Sequence, residues 1–276
     1  MMNILIAGML LLLVPPRAAA ATESLYFDEL MQTFADEADY RQAREAAGVT
    51  ADFKLKEAHY WWVKASVIYT STVESRDDPA VQSDPEMMAL VPENDRHNLN
   101  LAFDLATAAM RQYESLWATE KKNNRLNVLY AYGILEYVGI GSELKRLDMG
   151  TIQELYFKAR NLVNVVVSRL PDNLNARYLR LLMTFDIPAA TGMRPDSVIL
   201  EDSRRFLADY SLLPEELRAS GDYLMYLNQV RLIRAYVLGE GPGRSEAKTV
   251  FAQVDADALK AGVFKKLYQQ VERKLR

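Results

Sequence analysis

Cysteine is absent from the 276-residue chain. That excludes a disulfide framework, a thiolate metal site, a cysteine nucleophile and a lipid-modified N-terminal cysteine. Histidine is nearly absent too, with only His59 and His97. Glu57 and His59 stand two residues apart and so on different helix faces, whereas a metal-binding helix repeats its ligands every three or four residues. His97 follows Glu93, Asn94 and Asp95 at a helix start and reads as a surface residue. Neither sign of charge dominates: the net charge is −4, and the cations come as pairs (Lys121-Lys122, Arg204-Arg205, Lys265-Lys266) on mixed helices. A nucleic-acid-binding face concentrates Lys and Arg instead, so no nucleic-acid partner is expected. No alternating strand pattern flanked by hairpin turns occurs.

Long hydrophobic runs are also missing. The longest, Ile4 to Val14, has 11 residues, against the roughly 20 needed to span a bilayer. It suits the core of a signal peptide. Pro15-Pro16 break any helix, and Ala18 to Ala21 supply the small residues of a cleavage site. The expectation is a signal peptide over 1–20, cleaved after Ala20 or Ala21. The product would be periplasmic or secreted, with no transmembrane span once the signal is removed. No Lys or Arg precedes the run, so an uncleaved anchor is the alternative.

What is present is helical periodicity. Ala102, Leu105, Ala106, Ala109, Tyr113, Leu116 and Trp117 share one helix face. So do Ile152, Leu155, Tyr156, Ala159, Val163, Val166, Val167 and Leu170. Thr151 and Glu154 have capping-box spacing at the start of the second stripe, and Gly48 and Thr50 separate two long helices. The spacing predicts helices near 23–47, 51–75, 94–118, 123–138, 151–170, 174–186, 196–209, 221–238, 244–254 and 256–274. Arg76 to Pro92, with Pro79, Pro85 and Pro92, reads as an irregular loop, a length often reserved for function. Its acids Asp77, Asp78, Asp84 and Glu86 lack the spacing of a calcium loop.

An internal repeat is visible. Leu126-Asn127-Val128-Leu129-Tyr130 matches Leu174-Asn175-Ala176-Arg177-Tyr178, so that Tyr130 and Tyr178 stand 178 − 130 = 48 residues apart. Asp222 to Tyr226 lies at the same step again, and Ala58-His59-Tyr60 is a weaker echo. Repeats at this scale imply stacked helix pairs, since one pair cannot bury its apolar face alone.

These residues resemble tetratricopeptide-like (TPR-like) repeats. Pro171-Asp172-Asn173 looks like the turn between units, Tyr132-Gly133 like the large-then-small pair of a first helix, and Ala247 with Phe251 like the packing pair of a second helix. The family's unit is shorter, its first-helix Trp is missing, and the extra length falls in Gly139–Gly150 and Ile187–Asp196. The resemblance implies an all-α fold of stacked antiparallel helical hairpins, a TPR-like α-solenoid. A single repeat domain is expected over 21–276, with a helical hairpin over 23–75 and the clearest repeats over 120–254. It also implies that Tyr130 and Tyr178 face a concave groove.

Gly239 to Ser245 superficially resembles a phosphate loop, but the glycine spacing is wrong, Arg244 stands for the lysine, and a helix precedes it. No serine elbow, triad or pair of carboxylates can be assembled. No cofactor is expected. An enzyme stays as a third reading only because catalytic residues can be scattered, and it would require a polar cluster with perturbed acids in a pocket. The candidate binding residues are the aromatics Tyr60, Trp61, Trp62, Tyr130 and Tyr178, with Arg177 and Arg180. Two functions fit them. One is an adaptor or scaffold that binds a protein or peptide partner in the cell envelope. The alternative is a periplasmic solute-binding accessory subunit of an uptake system, holding a small organic ligand between helices. An open aromatic groove favours the first; an enclosed polar site favours the second.

Overall fold

The computed structural model describes residues 34, 36–46, 50–76, 85–186, 194–219, 221–257, 259 and 263–276. The proposed signal segment lies outside them, as do Asp77, Asp78 and Asp84. The described residues form eleven α-helices and no strand, as the periodicity predicts. None of these helices is long and apolar enough to cross a membrane.

The helices are α1 (Glu37–Ala46), α2 (Ala51–Arg76), α3 (Pro85–Thr119), α4 (Asn124–Glu143), α5 (Met149–Arg169) and α6 (Leu174–Phe185). There follow α7 (Asp196–Tyr210), α8 (Glu215–Arg218), α9 (Gly221–Glu240), α10 (Arg244–Phe251) and α11 (Val263–Leu275). Five of the eleven start on a side chain that accepts from otherwise orphan backbone N–H groups. Asp36 accepts from Ala38 and Asp39 at 2.8 and 2.9 Å, and Thr50 accepts from Phe53 at 3.1 Å.

Three expectations are corrected. The irregular stretch ends early, because α3 begins at Pro85 and runs through Pro92. Pro85 suits the first turn, where its missing N–H would be unbonded anyway, whereas Pro92 stands inside the helix and removes one of its backbone bonds. Second, α5 is capped by Asp148 and not by Thr151. Asp148 Oδ1 accepts the Thr151 N–H at 2.9 Å, and Oδ2 accepts its hydroxyl at 2.9 Å. The hydrogen bonds hold the Asp148 carboxyl below its ordinary range. Third, the last helix begins at Val263 instead of 256. Side chains of α9 take up the preceding backbone: Asn228 Oδ1 accepts the Asp255 N–H at 2.7 Å and Arg231 donates to the Gln253 carbonyl at 2.9 Å. Asp255 also turns back on the Asp257 N–H at 3.0 Å, a local bond that competes with helix.

The repeat survives with a different register. Asn123 and Asn173 each cap a helix, accepting from Leu126 and Ala176 at 3.0 Å. The turns before them match bond for bond: Glu120 bonds Leu116 and Asn123 bonds Glu120, as Leu170 bonds Val166 and Asn173 bonds Leu170. The caps are 173 − 123 = 50 residues apart. Tyr130 therefore lies seven residues past its cap and Tyr178 five, about 200° around the helix from equivalence at ~100° per residue.

Contacts divide the expected single domain into two compact units within α5, over the described parts of Asp28–Leu162 and Val163–Arg276. In the N-terminal unit α2, α3 and α4 pack against one another. Two glycines set the approach of α3 to α4. A Cβ at Gly133 would lie 2.9 Å from the Tyr113 ring, and one at Gly141 would lie 2.9 Å from the Phe103 ring and 2.6 Å from Leu147. Only glycine fits such contacts. In the C-terminal unit α6 packs on α7, and α9 packs on α7, α10 and α11. Ala247 is fully buried there, and the Phe251 ring meets Tyr268 at 4.8 Å.

Candidate functional site

The aromatic triplet Tyr60-Trp61-Trp62 is spread over different faces of α2, as consecutive helical residues must be. Tyr60 packs towards α1 with Phe34, Tyr40 and Phe53, and Trp61 lies partly buried at the edge of that cluster. The Tyr60 hydroxyl donates to Glu37 at 2.9 Å, while Lys64 pairs with Glu37 at 2.7 Å and sits 4.7 Å from the Tyr60 ring centre. Trp62 points the other way, into the α2–α3–α4 interior, 5.8 Å from the ring of Tyr132.

Tyr130 and Tyr178 are both core residues, 1% and 0% exposed. The Tyr130 hydroxyl donates to Glu114 at 3.0 Å under the Lys158 ammonium. Tyr178 packs 4.3 Å from the Tyr226 ring and donates to Gln229. Arg177 and Arg180 converge on Asp202 of α7. Arg177 Nη1 donates to Oδ1 at 2.9 Å, and Arg180 chelates both oxygens through Nε at 2.7 Å and Nη2 at 2.5 Å. Asp202 is completely buried. Two guanidiniums on one buried carboxylate form a tight charge-assisted clamp, with Arg177 Nε and Nη2 left over beside Asp209.

A different set emerges in the N-terminal unit. His59, Trp62, Ser66 and Thr70 fall at steps of three and four on α2, and so line one face. All four are buried. The His59 ring stacks on Trp62 at 5.1 Å. On α4, Arg125, Tyr132 and Glu136 fall at steps of seven and four, and α3 contributes Tyr113, whose ring lies against Gly133. The charge of Arg125 reaches both His59 and Tyr113.

His59 Nδ1, Trp62 Nε1, Ser66 Oγ, Thr70 Oγ1, the Tyr113 hydroxyl and Glu136 Oε1 are all buried without a hydrogen bond among the described residues. Burial drives His59 down to about 3 and Glu136 up to about 8, so both are neutral near pH 7. Desolvation raises Tyr113 further still. Each unsatisfied buried polar group costs about 1–3 kcal/mol. Six together would rival the ~5–15 kcal/mol that stabilises a whole domain. Buried polar groups in native proteins are nearly always satisfied by protein, water or ligand. These open donors and acceptors, with the rings of Trp62 and Tyr132 among them, are what this interior offers a bound molecule.

Of the residues nominated from sequence, this interior takes only Trp62. It adds His59, Ser66, Tyr113 and Glu136. The available signal was the spacing 59-62-66-70, and Glu136 alone among Ile134, Leu135, Tyr137 and Val138. The described residues hold no group of three or more His, Cys, Asp or Glu that could bind a metal ion. No protein family, no curated protein and no solved structure matches this chain.

Proposed function

We propose that the chain is an exported helical binding protein that holds a small polar organic ligand among α2, α3 and α4, in the manner of a solute-binding accessory subunit of an uptake system. The observation that carries this reading is the set of buried, unpartnered polar atoms on His59, Trp62, Ser66, Tyr113 and Glu136. A ligand that satisfies them stabilises the folded state by mass action. The test is native mass spectrometry of the mature protein after incubation with a polar metabolite extract, beside its thermal midpoint. A retained small molecule and a raised midpoint support the reading; an unchanged mass and midpoint sink it.

A second reading rests on a separate observation. Phe157 and Met149 on α5 are 60% and 59% exposed, large apolar side chains of the kind that anchor protein interfaces. Under that reading the chain is an envelope adaptor, with Phe157 in place of Tyr130 and Tyr178 at the contact. Capture of one envelope protein by the parent and not by Phe157→Ser would favour it. Export is tested by N-terminal sequencing: a mature terminus near Ala21 or Thr22 supports it, and an intact Met1 in the membrane fraction overturns it.

A further inference from the structure

We propose that the outward face of α11, joined by Lys248 of α10, is a docking surface for an anionic lipid bilayer, to which the chain attaches peripherally through the lipid head groups. The proposal does not rest on the ligand-binding reading and goes beyond it.

The charge of the chain is unevenly placed. Residues 244–276 carry eight Lys or Arg against four Asp or Glu, a surplus of four positive charges, whereas the whole chain stands at −4. The remainder therefore stands at −4 − 4 = −8. Such asymmetry marks a chain that presents one region to a polyanion. The fold turns the surplus outward. Phe264, Leu267, Val271 and Leu275 recur at steps of three and four and are buried, so they form the inner stripe of α11. At ~100° per residue, Lys265, Lys266, Gln269, Arg273 and Arg276 fall on the opposite face, and all five are exposed. The one acid of α11, Glu272, lies at the edge of that face and pairs with Arg276 at 2.8 Å.

α10 lies beside this edge. The Phe251 ring meets Tyr268, and Arg244 donates to the Lys274 carbonyl at 3.0 Å. Lys248 stands four residues after Arg244 and three before Phe251, on the same ridge, and is exposed. Lys248, Lys265, Lys266 and Arg273 have no carboxylate partner among the described residues; Arg273 donates only to the Gln269 carbonyl, at 3.3 Å. Lys265 and Lys266 also stand in the first turn of α11, which holds no acid. The helix dipole disfavours cations there. Their charge works against the helix that carries them, so its use lies outside the helix.

A bilayer fits this face better than a protein does. Protein interfaces are poor in Lys and are built on aromatic or apolar anchors. Among the described residues, no large apolar side chain is exposed on α10 or α11. The cations are single point charges spread along the helix, from its first turn to its last. Mobile head groups can gather beneath charges so spaced, and the long side chains can reach them.

The experiment sediments the mature chain with vesicles of phosphatidylglycerol and phosphatidylcholine in equal parts, beside vesicles of phosphatidylcholine alone. The chain should sediment with the mixed vesicles and stay in solution with the neutral ones. Raising salt from about 0.05 to about 0.5 M should weaken binding at least tenfold. Lys265→Gln with Lys266→Gln should also weaken it at least tenfold, at about fivefold per lysine, while holding or raising the thermal midpoint. Arg204→Gln with Arg205→Gln removes the same charge from two exposed cations already paired with Glu201 on α7, and should leave binding within about twofold. No binding to the mixed vesicles, or equal binding to neutral ones, overturns the proposal. So do equal losses in the two double variants, which would make net charge and not this face the cause. Polyglutamate and duplex DNA serve as rival polyanions: either one bound more tightly than the mixed vesicles at equal charge overturns the choice of a bilayer.

Discussion

Asp202 and Glu136 are both buried carboxyl groups, one in each unit, and their surroundings are opposite. Asp202 receives Arg177 and Arg180, with contacts of 2.5–2.9 Å. Glu136 keeps an oxygen with no donor, and burial pushes it up to about 8. The tyrosines repeat the contrast: buried Tyr178 donates to Gln229, whereas the buried Tyr113 hydroxyl has no partner among the described residues. The C-terminal unit pairs its central buried acid, although Arg177 Nε and Nη2, Asp209 Oδ2 and Arg231 Nε stay open among the described residues. The N-terminal unit leaves its central buried acid unpaired, and open groups are what a binding site offers.

Removing one partner from each interior should break the comparison most visibly. Asp202→Ala strands two guanidiniums, one fully buried, and should cost about 3–5 kcal/mol in urea unfolding. Glu136→Met strands nothing and should hold or raise stability, because replacing an unsatisfied buried polar group by an apolar one of similar shape is neutral or favourable. Equal losses in both variants would mean that Glu136 has a partner after all.

The pH dependence comes next in size. Glu136 is raised from 4.5 to about 8, so its native state holds the proton more tightly, and stability falls as pH rises from 4.5 to 8. His59 is lowered from 6.5 to about 3, so stability falls as pH drops from 6.5 to 3. Between 4.5 and 6.5 the two slopes oppose each other and the curve should be nearly flat. Above it, the fall between pH 6.5 and 8 should reach about 2 kcal/mol, at ~1.4 kcal/mol per unit. Glu136→Gln should abolish that alkaline fall and leave the acid one. An unchanged alkaline limb would refute the neutral buried acid.

Deleting single hydroxyls sharpens the contrast. Tyr178→Phe orphans Gln229 and should cost about 1–2 kcal/mol, while Tyr113→Phe should be neutral or slightly stabilising. The smallest effect tests what the units share. Asn123→Ala and Asn173→Ala should each cost about 1 kcal/mol by losing the same N-cap bond. Similar losses would show that the local chemistry of the repeat is common to both and that the interiors alone differ.

Much of the fold was legible because caps and stripes are local. Thr50 caps where expected, and Ala102, Ala106, Ala109, Tyr113 and Leu116 are all buried. Registers were less legible. The 48-residue match followed side-chain identity, Leu-Asn to Leu-Asn, whereas the backbone repeats from Asn123 to Asn173. Asp148 caps α5 although Thr151 and Glu154, three residues later, carry the capping-box spacing. The site was least legible. Periodicity places His59, Trp62, Ser66 and Thr70 on one face, but whether a neighbour covers that face depends on contacts distant in sequence. Tyr130 and Tyr178 match in sequence alone, and each is enclosed by its own unit.

The Tyr113 ring rests on the bare Cα of Gly133, and that contact ties two distant codons together. A methyl group at 133 would press on the ring and shift the hydroxyl at its far end. Substitutions at 133 should therefore survive selection only alongside a smaller residue at 113, and a second-site suppressor search begun from Gly133→Ala should return to position 113. The lineage of this chain would then record the two positions as one heritable unit, changing together or not at all.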